Sequence, residues 1–390
     1  MRTNRGGEST ATGPNDFFNG LLNVLIGPNG SGKSNLIEAL NVLRASATKL
    51  AAPVRGKGGG VTEWIWKGEG NDQASIEVVI GHPKLNDSLR HAITFTENQS
   101  SFELVNEWIT LAGDCVGTGR SSPPIYSTMR SLGGAILGTR SGTGSTRKLL
   151  QSDTDRDESI LSQIKDPDQY PELSCLADTY EGIRIYREWN FGRSSVFRLP
   201  QAADLPNDRL EEDFSNLGLF LNHLRRIPKA KKRILEHLGD LYEGLNDFDV
   251  HVRGGSVDVF LTEGDFTIPA GRLSDGTLRY LCLLAILCDP DPPPVICIEE
   301  PELGLHPDLL PKIADLLMQA SEQCQIIVTT HSDILVDAMS EQPESVVVFE
   351  KVHGETQARR LTASEELKKW LEKYRLGELW TQGQIGGTRW

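Results

Sequence analysis

The chain has 390 residues, 38% of them hydrophobic, and a formal net charge of −14. That length and apolar content supply a sizeable core, as one large or two ordinary domains. The acidic balance argues against a protein that coats DNA over its whole surface, so any nucleic-acid contact has to be local, and no apolar run approaches the ~20 residues a membrane-spanning helix needs.

Met1 to Asn15 is polar and Gly-rich and lacks the apolar centre of a signal peptide. A cytoplasmic chain without membrane contact is expected. The cysteines, Cys115, Cys175, Cys282, Cys288, Cys297 and Cys324, form no C-x-x-C pair, which predicts buried reduced thiols and argues against a cysteine metal site.

An apolar strand is predicted over Leu21 to Ile26 and a helix over Asn35 to Leu43. Between them stands Gly27-Pro28-Asn29-Gly30-Ser31-Gly32-Lys33-Ser34, with Asn35 next. This run fits the phosphate-cradling pattern G-x-x-x-x-G-K-S in its required strand–loop–helix setting. Glycines let the backbone wrap so that successive N–H groups point inward, and the helix N-terminus adds its positive dipole end. Lys33 is suited to the β- and γ-phosphates of a nucleotide and the Ser34 hydroxyl to Mg²⁺.

Short strands with period-two alternation are predicted at Ala74 to Ile80, His91 to Thr96 and Ser101 to Leu111, as in an antiparallel sheet with one wet face. Residues 112–148 are rich in Gly, Ser, Thr and Pro around an apolar island at Ala135 to Leu137, and no acid occurs from Cys115 to Ser152. A solvated loop with strands at its ends is the plain reading; a basic mobile segment (Arg120, Arg130, Arg140, Arg147, Lys148) that touches phosphate backbones is the sharper one. Residues 153–250 read mostly as helix, with apolar residues at helical spacing in Leu210 to Leu224 and Lys229 to Leu245, on either side of Pro228. Arg225, Arg226, Lys229, Lys231, Lys232 and Arg233 cluster there, as a solvated face or a grip for DNA.

From Phe248 an α/β pattern returns. A hairpin is predicted around Gly254-Gly255, a buried helix at Leu278 to Leu287, and continuous apolar strands at Val295 to Ile298, Ile326 to Thr329 and Val346 to Phe349. The first of these strands ends in Glu299-Glu300, which delivers two carboxylates to the C-terminal sheet edge where open α/β sheets bind ligands. One acid suits a metal and its waters, the other an attacking water. Ile326 to Thr329 runs into Thr330-His331, a histidine at the same edge. Leu273-Ser274-Asp275-Gly276-Thr277-Leu278 opens the buried helix, with Ser274 as its N-cap candidate. A charged helix (Ser364 to Tyr374) and a Gly-rich tail close the chain. The expected organisation is a P-loop part over 1–111, a Gly/Ser-rich basic segment over 112–152, a helical insertion over 153–247, a second α/β part over 248–362, and a helix and tail over 363–390.

The segments NVLIGPNGSGKSN, LSDGTLRYL, ICIEEPELGLHP and IIVTTHS, in this order, resemble the ABC-type ATPases of the RecF/SMC-like branch, including the heads of DNA-repair and overcoming-lysogenization-defect (OLD) ATPases. The resemblance covers both ends of the chain and the middle poorly. It implies an α/β P-loop head with an antiparallel β subdomain, and an ATP-dependent head-to-tail homodimer with two composite sites. Gly27 to Asn35 of one subunit would hold ATP, with Lys33 on the phosphates. Ser34 and Glu299, at the Walker B position, would hold Mg²⁺. Glu300 would be the catalytic base and His331 the switch histidine, while Ser274, Asp275, Gly276 and Thr277 of the partner would cap the γ-phosphate and Leu303 to His306 would form the seam. The chain departs from the pattern in carrying Glu at 299 where Asp is usual, S-D-G-T in place of S-G-G-Q, Gln99 as the sole weak Q-loop candidate, and only Phe17-Phe18 where an apolar strand usually precedes the P-loop strand. No long heptads, membrane domain or room for an appended toprim nuclease is expected. The functions implied are ATP hydrolysis coupled to DNA repair or genome maintenance, regulation of a separately encoded effector such as a nuclease in antiviral defence, or a low-turnover nucleotide switch.

Overall fold

The computed structural model describes residues 20–56, 60–68, 72–85, 87–112, 124–129, 134–138, 146–149, 155, 157–192, 195 and 198–387. Phe17-Phe18, Cys115, Arg120, Arg130 and Arg140 lie outside them. Among the described residues the chain divides into two compact units, Ser34–Ile183 and a second that joins residues 20–33 to those from Arg184 onward.

Strand β1 (Leu22–Ile26) is buried along its whole length and leads through the P-loop into helix α1 (Lys33–Ser46). The first unit continues with α2 (Ala51–Arg55) and a sheet of β2 (Gln73–Ile80), β3 (Leu89–Asn98), β4 (Ser101–Leu111), β5 (Tyr126–Met129), β6 (Gly134–Gly138) and β7 (Thr146–Leu149). These six strands follow one another in sequence order, each antiparallel to the next. Buried and exposed residues alternate along β3 and β4, as one wet face requires. The segment read as a solvated loop with strands at its ends carries β5 to β7, so it has a strand in its middle as well, and the apolar island Ala135 to Leu137 falls inside that strand, β6. Backbone pairing to a preceding strand outweighs the Gly/Ser-rich composition. Helices α3 (Ile160–Gln163) and α4 (Pro171–Glu181) complete the unit.

A buried polar knot holds this unit together. His91 on β3 and Glu107 on β4 lie diagonally across the strand pair, with His91 Nε2 3.1 Å from a Glu107 oxygen. Glu107 also accepts from the Ser159 hydroxyl and from the Ile160 backbone N–H at 2.9 Å, an otherwise orphaned donor at the start of α3. The Tyr180 hydroxyl on α4 lies 2.8 Å from His91 Nδ1. Burial, then the Glu107 charge, push the Tyr180 phenol well above its ordinary value. It therefore stays protonated and donates to Nδ1, leaving the Nε2–H for Glu107.

The second unit is built on a six-stranded sheet in the order β16-β15-β1-β14-β13-β8. Its other members are β8 (Ile183–Tyr186), β13 (Val295–Glu299), β14 (Gln325–Thr329), β15 (Val346–Val352) and β16 (Glu355–Arg360). β13, β14, β1 and β15 are mutually parallel and β16 returns antiparallel. Near-continuous burial in β1, β13 and β14 is what strands covered on both faces need. Buried Asn23 in β1 is fully engaged. Its amide donates to the Gly20 and Ile326 carbonyls at 3.0 and 3.2 Å, and Arg360 of β16 donates to its oxygen. Next to β1, opposite β14, lies β15, so a C-terminal hairpin takes that flank.

β9 (Gln201–Ala202), β10 (Leu245–Arg253), β11 (Ser256–Glu263) and β12 (Phe266–Pro269) form a small antiparallel sheet, with β10 and β11 meeting at Gly254-Gly255. Helices α5 (Leu217–Leu224), α6 (Pro228–Leu238) and α8 (Leu310–Ala320) flank α7 (Asp275–Leu287). Every residue of α7 from Leu278 to Leu287 is buried, and each such leucine contributes about 1.5–3 kcal/mol. α9 (Asp333–Asp337), α10 (Glu365–Leu371) and α11 (Leu376–Thr381) follow; α11 lies inside the stretch read as a Gly-rich tail.

Helix is less continuous over 153–250 than the spacing predicts. The stretch from Leu210 to Ser215 does not join α5, because the Asn216 side chain gathers the preceding loop. It donates to the Pro206 and Arg209 carbonyls at 2.8 and 2.7 Å and accepts from the Glu211 N–H at 2.9 Å. α6 stops at Leu238, before Gly239 and before Gly244 at φ +100°.

Removing the carboxylate of the buried knot with Glu107→Ala is expected to cost about 3–5 kcal/mol, because His91 and the Ile160 N–H lose their partner without access to water. Tyr180→Phe is expected to cost about 1–3 kcal/mol. Urea unfolding of both variants against wild type checks the order.

Candidate nucleotide site at one edge of the parallel sheet

Three parallel strands end level. Leu25 of β1 and Glu299 of β13 both pair with Thr329 of β14. The chain leaves this edge as the P-loop after β1, as Glu300 after β13, and as Thr330-His331 after β14. Segments far apart in sequence therefore issue from neighbouring strands. His331 Nε2 lies 3.7 Å from a Glu300 carboxylate oxygen, with both side chains a little over a third exposed.

The P-loop is wrapped as its glycines allow, with Gly27, Gly30 and Gly32 at φ +145°, +78° and +104°. Gly32 also needs to be small. A Cβ there would lie 2.3 Å from Thr356 Oγ1, so the β15–β16 hairpin packs directly on the loop. The buried Lys33 ammonium donates to the Gly27 and Pro28 carbonyls at 2.6 and 3.2 Å. Burial lowers its affinity for the proton below the ordinary lysine value, and the Glu300 charge partly opposes this. The Ser31 hydroxyl is buried within the loop without a hydrogen-bond partner. An inward polar atom, a lysine turned into the loop and a glycine-only backbone together fit an anionic phosphate chain. Pro28 is half-buried, and Asn29 is exposed. Ser34 and Asn35 begin the first turn of α1.

Glu299 closes β13, and its carbonyl accepts the Trp189 indole N–H at 2.8 Å. Glu300 adopts φ +47°, a left-handed conformation uncommon outside glycine. Its carbonyl accepts from the Arg279 guanidinium at 3.0 Å. Glu302 reaches across to the β14 loop, accepting from the Thr330 hydroxyl and the His331 N–H, both at 2.8 Å. Burial pushes the Arg279 guanidinium down to about 10, with Glu302 foremost among the charges that resist the fall; it stays cationic at neutral pH.

The signature-like turn faces solvent. Ser274 caps α7, accepting from the Thr277 N–H at 3.0 Å, and its hydroxyl lies 2.8 Å from that of Thr277. Ser274 and Asp275 are exposed, and Asp275 pairs with Arg198, whose guanidinium also donates to the Leu273 carbonyl at 2.6 Å. Gly276 abuts Leu303 to His306, since a Cβ at Gly276 would lie 2.9 Å from the Gly304 carbonyl oxygen. Leu303 is an exposed large apolar residue in that segment. No contact joins the Ser274 turn to the P-loop of its own chain among the hydrogen bonds and ion pairs described.

Sequence reasoning assigns no role to Trp189, Arg279, Glu302 or Thr356. Arg279 and Glu302 stand inside the motif-bearing runs, one in LSDGTLRYL and the other in the acid-rich EEPE. Trp189 and Thr356 carry no local signal, because packing alone brings them here. Gln99 sits exposed in the β3–β4 turn at φ +50°. Among the described residues no group of three or more His, Cys, Asp or Glu is arranged to hold a metal ion.

The family described as "AAA domain, putative AbiEii toxin, Type IV TA system" matches residues 22–114 and 141–337, and the chain belongs to it. In fold it is similar to a structure described as the SmcHead bound to the C-winged helix domain of ScpA, at 14% identity and a TM-score of 0.52, covering 88% of this chain and 91% of that one. Weaker likenesses are to a Pyrococcus furiosus Smc head domain with an extended coiled coil bound to the C-terminal domain of ScpA (13% identity, TM-score 0.43, 90% and 92% covered) and to the Thermotoga maritima SMC head domain (14%, 0.37, 87% and 90%). No curated protein matches the chain. The fold is that of an ABC-type, SMC-like P-loop ATPase head.

Gly276→Ala separates two opposing effects. Helix propensity favours alanine by up to about 1 kcal/mol, whereas the approach to the Gly304 carbonyl forces a backbone shift costing about 1–3 kcal/mol. Net destabilisation is expected in urea unfolding; a more stable variant would show that the Gly304 segment yields freely.

Proposed function

We propose that this protein binds and hydrolyses Mg²⁺-ATP and that ATP closes two copies head to tail. The observation that carries the reading is the level ending of β1, β13 and β14, which gathers the P-loop, Glu300 and His331. Lys33 and the loop N–H groups would hold the phosphates, and Ser34 and Glu299 the Mg²⁺. Glu300 would orient and deprotonate the attacking water, and His331 would hydrogen-bond the γ-phosphate. The exposed Ser274 to Thr277 turn would cap the γ-phosphate of the partner, and exposed Leu303 would lie at the seam.

Regulation of a separately encoded effector, as in defence or toxin–antitoxin systems, is the use of closure we favour. The family description supports it. The DNA-maintenance reading relies in part on the basic cluster. There Arg225 pairs with Asp249, Lys231 with Asp247 at 3.2 Å and Lys232 with Glu236 at 3.5 Å, so much of its charge is answered within the chain. A cytoplasmic location suits Cys175, Cys282, Cys288, Cys297 and Cys324, which among the described residues are buried and form no disulfide, and no helix among the described residues is long and apolar enough to cross a membrane.

Glu300→Gln is expected to bind ATP normally, to hydrolyse it at least ~10²-fold more slowly, and to elute as a dimer on size exclusion with Mg²⁺-ATP. Elution as monomer alone defeats the composite site. Turnover by wild type is expected to be indifferent to duplex DNA at low salt, where phosphate contacts are strongest. Stimulation that is lost on neutralising Arg225, Arg226, Lys231 and Lys232 together would restore the DNA reading.

A further inference from the structure

The left-handed backbone of Glu300 is an uncommon state for a residue with a side chain and costs on the order of 1–3 kcal/mol unless its surroundings impose it. Here every backbone group around it is held. The Glu300 N–H donates to the Thr329 carbonyl at 2.9 Å. The preceding carbonyl, of Glu299, accepts from Trp189 Nε1 at 2.8 Å. The Glu300 carbonyl accepts from Arg279 at 3.0 Å and from the Leu303 N–H at 3.2 Å. The first of these bonds belongs to the sheet and the last to the turn itself. The Trp189 and Arg279 bonds are additional, and they come from one structure. The Arg279 guanidinium lies over the Trp189 ring at 4.4 Å and within 5.7 Å of the Phe191 ring. The two rings stack at 6.2 Å with 16° between their planes, and Trp189 rests in turn on Phe214 at 5.3 Å.

Arg279 is 5% exposed, so its desolvated cation has to be answered locally. The aromatic faces, the Glu300 carbonyl and the nearby Glu302 charge do this. A planar fork lying on a ring fixes the donor direction in a way that the flexible point charge of lysine does not. Arg279 also sits on α7, the helix that Ser274 caps. α7 is buried from Leu278 onward, so it is suited to move as a rigid rod rather than to bend.

We propose that Arg279, seated on Trp189, is a positioning residue that sets the Glu300 carboxylate from the signature helix. This rests on the reading of Glu300 as the base of an ATPase that closes head to tail. In such a dimer the Ser274 end of α7 meets the nucleotide of the partner while Glu300 serves the nucleotide of its own chain. A shift of α7 on engaging one site is then delivered, through the Arg279 bond, to the carboxylate of the other.

The test uses the full chain with Arg279→Met, Arg279→Lys and Trp189→Phe, and measures ATP turnover, ATP affinity and backbone amide exchange. Arg279→Met is expected to lower kcat by about 10²-fold, the scale set by an ångström of misplacement, with KM and equilibrium ATP binding within twofold of wild type. Arg279→Lys is expected to recover less than a tenth of the lost rate, because it keeps the charge but not the stacked fork. In the Glu300→Gln background Arg279→Met is expected to add no further loss. Amides at Glu300 and Leu303 are expected to exchange at least ~10-fold faster in Arg279→Met, while those of the P-loop do not change. A kcat within threefold of wild type, or full rescue by lysine, overturns the proposal. Should Arg279→Met fold poorly, Trp189→Phe is read in its place, since it keeps an aromatic seat and removes the donor to the Glu299 carbonyl; unchanged kcat there overturns the proposal equally. If wild type binds ATP without hydrolysing it, the ATPase reading falls and the exchange measurement decides alone: unchanged exchange at Glu300 and Leu303 in Arg279→Met overturns the positioning role, and faster exchange confined to that turn upholds it.

Discussion

Parallel pairing of β1, β14 and β13 fixes Leu25, Thr329 and Glu299 in one row across the sheet. Because parallel strands share a direction, whatever follows each of them leaves at the same edge, and a spacing of about 4.8 Å between neighbours puts those exits within side-chain reach. The P-loop, Glu300 and His331 owe their proximity to that row. A slip of one residue in either pairing would turn the side chains of a strand to the opposite face and remove its last residue from the row. Burial of all three strands on both sides makes such a slip costly, so the apolar core serves as the ruler for the polar edge.

What leaves the edge is then trimmed by polar contacts of its own. Glu302 spans from the turn after β13 to the loop after β14 and holds Thr330 and His331. Thr356 packs on Gly32 from the far side of β1. Trp189 and Arg279 fix the carbonyls of Glu299 and Glu300. Each contact joins segments of different sequence origin, and together they leave the Glu300 and His331 side chains partly open to solvent on an otherwise fixed backbone.

The antiparallel unit obeys a different constraint. Its sheet is a local meander, and a buried carboxylate, Glu107, ties it to α3, being shared by a histidine, a serine and a helix N-terminus. A buried charge is tolerated there because each of its neighbours donates to it. That network is fully enclosed, which marks it as a fastening and not as a second reactive centre.

Local sequence suffices for the strand–P-loop–helix entry, the apolar strands that end in Glu299-Glu300 and Thr330-His331, and the Ser274 cap of a buried helix. In each case the signal is short-range: apolar continuity, glycine at left-handed positions, or a hydroxyl three residues before the amide it caps. The strands inside 126–149 and the loop before α5 are not legible in this way, since backbone pairing and the reach of Asn216 override composition at a distance. Which strands lie side by side, and so which distant residues meet, is settled by tertiary packing. Trp189 beside Arg279, Glu302 under His331 and Thr356 against Gly32 are contacts between segments separated by up to hundreds of residues. No periodicity records them, because they arise only when sheet order and register have been set by burial of the core.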